Sequence, residues 1–146
     1  MKVGKVTFTE AYKAVNEYRQ KFPQKAVTFY AHNYPAMGWA VFMAGGSCPV
    51  IPCTDKAFLK DAAAMEVEET NTDEYKKMVK SDIGSIIYSK SGTEIPVQLS
   101  SGKYSLKYIH PSSGKVTMID KLLKINDVYT LKVPDKKEGI YWFHKL

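Results

Sequence analysis

The chain has 146 residues, 45% hydrophobic and 25% charged, the composition of an ordinary soluble globular protein with one good core. The net charge is +6, yet the lysines are scattered, with no block of five or six like charges, so a solvated surface is expected rather than a nucleic-acid interface. The N-terminus, MKVGKVTFTEAY, shows no apolar h-region or cleavage site, so no signal peptide is expected there.

Thr9 is placed to cap a first helix, whose apolar stripe runs through Phe8, Tyr12, Val15 and Phe22 until Pro23 stops it. Ala26 to His32, AVTFYAH, is β-branched and aromatic between turn residues, as in a buried strand. Pro35 then opens a second, entirely apolar helix that ends at Gly45-Gly46. The stretch from Tyr34 to Pro52 has no charged residue. Its prolines and glycines leave a helical run of only about ten residues, too short to span a bilayer, so no membrane contact is expected.

Thr54 or Asp55 starts a third helix with Phe58, Leu59, Ala62 and Met65 on one side, and a short helical turn is expected at Thr72 to Met78. Beyond Ser81 the pattern changes. IGSIIYSK, EIPVQL, KYSLKYIH, KVTMID, DVYTLKV and GIYWFHK read as six short strands separated by turn signals such as Ser101-Gly102 and Asn126-Asp127. In KYSLKYIH, Tyr104, Leu106 and Tyr108 share one face. Trp142 lies on one face of the last strand and Tyr141 and Phe143 on the other, and one of those faces must be core. The expected fold is therefore α+β: a helix-rich segment over residues 1–81 packed on an antiparallel β-sandwich over residues 82–146.

Few residues suggest chemistry. Cys48 and Cys53 read as two buried or half-buried thiols, with a disulfide as the alternative if the protein is exported; zinc would need two further ligands and only His32, His110 and His144 are at hand, so no metal is expected. Ser47 in GGSC lacks the spacing of a nucleophile elbow and reads as a cap. The acidic run Glu66, Glu68, Glu69, Asp73 and Glu74 reads as a solvated face beside a helix start, although paired carboxylates are also what glycoside hydrolysis uses. Tyr30, His32, Asn33 and Tyr34 end the expected buried strand, the edge at which α/β folds bind ligands, and are the candidate glycan-contacting residues. No catalytic residue and no cofactor is expected.

The back half resembles the C-terminal β-sandwich of bacterial apiosidase-like glycoside hydrolases, a module often labelled collagen-binding. The residues that carry the resemblance are IIYSKSG (Ile86 to Gly92), LSSGKYSLKYIHPSSGK (Leu99 to Lys115) and VPDKKEGIYWFHKL (Val133 to Leu146). The hairpin with Pro111 and Gly114 is the most specific of them. GWAVFMAGGS (Gly38 to Ser47) and FLKDAAAM (Phe58 to Met65) are similar to the end of the (β/α)8 barrel that precedes the sandwich in that family.

The resemblance implies an accessory, non-catalytic region that is structural or touches carbohydrate, and a periplasmic or secreted setting. A full barrel takes about 250 residues and only roughly 80 precede the sandwich. AVTFYAHNY carries no carboxylate, so no catalytic residue transfers to it. Two alternatives follow: a component of a split hydrolase whose barrel another chain completes, and a protein-interaction module. Loss of a barrel would bare Trp39, Phe42 and Met43, an apolar surface expected to drive self-association or docking of a barrel-bearing partner.

Overall fold

The computed structural model describes residues 6–28, 35–47 and 49–146. The chain forms two compact units, Met1–Ile51 and Pro52–Leu146.

The first unit holds helices α1 (Phe8–Lys21) and α2 (Pro35–Met43). Thr7 caps α1, two residues before the expected Thr9: its side chain accepts from the Glu10 amide while the Glu10 carboxylate accepts from the Thr7 amide. That reciprocal bond to the exposed Glu10 holds its carboxyl below the usual carboxylate range. Ala11, Tyr12 and Val15 are buried, whereas Phe22 lies past the helix end and is largely exposed. α2 ends before Gly45-Gly46 as expected, and the Arg19 guanidinium reaches from α1 to donate to the Ala44 carbonyl at 2.8 Å. Gly38 has a steric reason: a Cβ there would lie 1.7 Å from the Val50 carbonyl oxygen, so only glycine lets that segment cross the helix. The expected strand at Ala26 to His32 falls largely outside the described residues, and positions 26–28 are not in a strand.

The second unit opens with α3 (Lys56–Ala64), capped by Asp55, whose carboxylate accepts from the Phe58 amide at 2.9 Å. Six strands follow: β1 (Glu66–Glu68), β2 (Tyr75–Lys80), β3 (Gly84–Ser89), β4 (Glu94–Ile109), β5 (Val116–Lys132) and β6 (Gly139–Lys145). They form one antiparallel sheet in the order β1-β2-β3-β6-β4-β5. α3, β1 and β2 thus belong with the sheet, although all three precede residue 82.

Two expectations are corrected. The helical turn at Thr72 to Met78 is strand β2: Lys76 and Met78 are buried on one face, and Tyr75 and Val79 pack on the core from the other. A chain entering this sheet alternates its faces, and β3 supplies all six pairing partners from Ser89 to Gly84. Second, EIPVQL and KYSLKYIH are one strand, and KVTMID and DVYTLKV are another.

The reason for the second correction is a β-bulge. The apparent turns Ser101-Gly102 and Asn126-Asp127 face each other across the hairpin, where Ser100 and Ser101 stand opposite the single Asn126. Asp127 takes φ +78° there. The extra residue also shifts parity. Odd-numbered Ile95, Val97 and Leu99 and even-numbered Tyr104 and Leu106 consequently enter the same core.

Two more register shifts lie beyond the bulge, so the hairpin bends and the sheet closes on itself as a sandwich-like unit. The near half of β4 pairs with β6. Its far arm, with the far arm of β5, brings Ile95, Val97, Leu99, Ile125 and Leu131 over Ile87, Tyr141 and Phe143. Each fully buried aliphatic side chain in this core contributes roughly 1.5–3 kcal/mol of transfer free energy.

On β6 one face was expected to be core, and both faces are interior. Tyr141 and Phe143 face the sandwich core, while Trp142, fully buried, meets Phe58 of α3 edge to face at 5.4 Å. GIYWF is therefore an unbroken buried run, like GSIIYS in β3.

Candidate functional site

A cleft of about 700 Å³ is lined by β4, β5, the turn between them, the segment before β6 and Tyr141 of β6. Its floor is core: Leu106 of β4, Leu131 of β5 and Tyr141 of β6 are buried to 3% exposure or less. Tyr108 and Tyr129, both half-buried, flank it, and the exposed ends of His110, Lys115, Lys132 and Lys137 surround its mouth. Strand periodicity puts Leu106 and Tyr108 on one face, and His110 follows at the end of the strand. The hairpin turn that follows is held by the His110 amide donating to the Lys115 carbonyl at 3.0 Å and by the Ser112 and Ser113 amides pointing at His110 Nδ1.

Gly114 closes that turn with φ +72°, and a Cβ on it would lie 2.4 Å from the Pro52 carbonyl oxygen. Both conditions call for glycine.

The segment between β5 and β6 is pinned by phenols. Tyr141 donates to the Lys137 carbonyl at 2.7 Å and Tyr108 to the Glu138 carbonyl at 2.8 Å. Burial pushes the Tyr141 phenol up to about 12, with Tyr108 nearby adding to the effect. Tyr108 is raised by burial and then by the Glu138 charge, so both phenols keep their protons and remain donors at neutral pH. The Lys137 ammonium sits 5.4 Å from the centre of the Tyr108 ring. The Glu138 carboxylate accepts from Tyr88 instead, on the other face of the sheet, and desolvation raises that phenol further still.

The residues lining the cleft include no Asp or Glu. Glycoside hydrolysis of the usual kind uses two carboxylates flanking the scissile bond, and these lining residues supply neither.

A second polar cluster joins α3 to β6. Asp61 is nearly buried, and one of its carboxylate oxygens accepts from Trp142 Nε1 at 2.8 Å and from His144 Nδ1 at 2.6 Å. Because both partners converge on an acceptor, His144 carries its hydrogen on Nδ1. The Lys107 ammonium lies over the Trp142 ring, 4.5 Å from its centre. Every buried polar side-chain atom among the described residues has a partner. The cluster holds helix to sheet, and the buried Ser105 of β4 is the cross-strand neighbour of His144.

Tyr30, His32, Asn33 and Tyr34 lie outside the described residues, as does Cys48. Cys53 is a buried free thiol, and desolvation raises it above the ordinary cysteine range, which disfavours a reactive thiolate. Trp39, Phe42 and Met43 are buried, with Trp39 and Phe42 edge to face at 5.5 Å. Of the acidic run, Glu66 to Glu68 form edge strand β1, where Glu68 pairs with Lys77 at 2.7 Å. Among the described residues no group of three His, Cys, Asp or Glu is placed to hold a metal, and no helix is long and apolar enough to cross a membrane.

Sequence reading missed both the cleft and the Asp61 cluster. For Asp61 a signal existed: it stands three residues from Phe58 and four from Met65, on the stripe the helix buries. Leu59, assigned to that stripe, is 42% exposed, and Asp61 takes the buried position.

Fold and site together define an α+β protein with a bent antiparallel sheet and an aromatic, basic cleft. Residues 1–65 match the model of a domain of unknown function, DUF6298. No curated protein matches the chain. A solved structure titled "Glycoside hydrolase" is a distant structural match, with 13% identity and a TM-score of 0.41 over 54% of this chain. The chain covers 19% of that protein's length.

Proposed function

We propose that this chain is a non-catalytic accessory region of the glycoside-hydrolase type, and that it contacts carbohydrate through the cleft lined by β4 and β5. The observation that carries the reading is the pair of half-buried rings, Tyr108 and Tyr129, flanking a cleft with a polar rim and no lining carboxylate. Sugar rings present apolar C–H faces and a polar edge, and a concave site with a few aromatic walls and placed polar groups complements both. The resemblance of the IIYSKSG and LSSGKYSLKYIHPSSGK segments to hydrolase C-terminal sandwiches supports the same reading.

Calorimetric titration against a panel of oligosaccharides tests it. Binding is expected, and Tyr108→Ala or Tyr129→Ala is expected to weaken it about 3- to 10-fold. A blank panel, or reducing-end release catalysed by the purified chain, contradicts the proposal. In the split-hydrolase alternative a partner reaches Trp39, Phe42 and Met43. Those side chains are buried, so such a partner has to displace whatever covers them.

A further inference from the structure

We infer that the cleft selects an anionic saccharide, one bearing carboxylate or sulfate groups, over a neutral one. This rests on the reading of the cleft as a glycan site and adds the ligand's charge. Three ammonium groups, Lys115, Lys132 and Lys137, and the His110 imidazole are drawn from two stretches of the chain, the β4–β5 turn and the segment that ends β5 and leads to β6, to one mouth, with no carboxylate among the lining residues.

Two carboxylates come near. Glu94 approaches Lys132 at 4.0 Å with both side chains more than two-thirds exposed, a pairing that water and salt weaken. Glu138 accepts from the Tyr88 hydroxyl, and its charge also reaches the Tyr108 phenol, so it offsets part of the rim's positive charge. The rim therefore keeps an excess of positive charge beside a low-dielectric floor, where an incoming anion is attracted more strongly than on open surface.

Lys137 is the best-placed of the cations. Its carbonyl accepts from Tyr141, the next carbonyl accepts from Tyr108, and its own ammonium rests over the Tyr108 ring. Main chain and side chain are both held before any ligand arrives, which lowers the ordering cost of binding. A sugar ring stacked against Tyr108 or Tyr129 would bring an acidic substituent to the rim, where Lys137 and its two neighbours complement it. A neutral sugar would gain the stacking alone.

The test is calorimetric titration of the full chain with oligogalacturonate, its methyl ester, dextran sulfate, neutral dextran and polyglutamate. The inference expects oligogalacturonate, dextran sulfate or both to bind, and to bind at least tenfold more tightly than the neutral counterparts. Which of the two binds separates carboxylate from sulfate recognition. Lys137→Gln, Lys115→Gln and Lys132→Gln are at exposed positions and are each expected to weaken binding about 2- to 5-fold. Raising the salt from about 50 to 500 mM is expected to weaken it further. Tyr108→Ala is expected to weaken the acidic saccharide and leave any polyglutamate binding unchanged.

Equal affinity for the methyl ester and the free acid overturns the charge selectivity while the glycan reading stands. Polyglutamate binding as tight as that of the saccharides, insensitive to Tyr108→Ala, overturns the selectivity by showing a generic polyanion surface. Failure of every saccharide overturns both readings.

Discussion

Replacing Asp61 by alanine removes the acceptor that α3 offers to β6. Trp142 is fully buried, so its indole N–H loses the carboxylate oxygen that accepts from it at 2.8 Å. Leaving a buried donor unsatisfied costs about 1–3 kcal/mol. The His144 side chain is 34% exposed and can turn to solvent, so its 2.6 Å bond adds only about 1 kcal/mol. The two together come to roughly 2–4 kcal/mol, which lowers Tm by on the order of 10 °C.

Urea denaturation of wild type, Asp61→Ala, Trp142→Phe and the double variant measures this directly. In the Trp142→Phe background no indole donor remains to be orphaned, so Asp61→Ala is expected to cost about 1–2 kcal/mol less there. A loss under about 0.5 kcal/mol for Asp61→Ala, or strict additivity with Trp142→Phe, refutes the clamp.

Gly114→Ala forces a left-handed backbone on a residue with a Cβ and drives that Cβ into the Pro52 carbonyl, for an expected loss of about 2–4 kcal/mol in the same assay; a neutral substitution would contradict the turn geometry. Tyrosine titration supplies a pH test. Tyr88, Tyr108 and Tyr141 have raised folded pKa values, so above the ordinary value of about 10 the folded chain binds more protons than the unfolded one. Their contribution to stability is intact below about pH 10 and falls as pH rises through the folded values. Absorbance at about 295 nm should show a late-ionising group of phenols that merges with the rest in urea; simple titration near pH 10 of every tyrosine in the folded chain would contradict their burial.

The three helices were readable because their signals are local: a capping side chain, a proline at the first turn, a glycine pair at the end. β2 was not. YKKMVK has no run of β-branched residues, and only pairing with β3 makes it a strand. The long hairpin was divided in two because the residues that make a bulge, Ser-Gly and Asn-Asp, are the same ones that make a turn. Nothing local tells whether the chain reverses or merely bends there, although the parity change between Leu99 and Tyr104 was a clue. The cleft was hidden for a related reason. Lys115, Lys132 and Lys137 read as scattered solvated charges along the chain, and folding of β4, β5 and the segment before β6 gathers them around one opening.

Amide chemical-shift mapping during titration with oligogalacturonate examines the central claim at residue level. The reading of the cleft expects perturbations concentrated at Tyr108, His110, Lys115, Tyr129 and Lys137, saturating with ligand, and no cleavage of the saccharide over the experiment. Perturbations absent from that set, or clustered elsewhere in the chain, would contradict it.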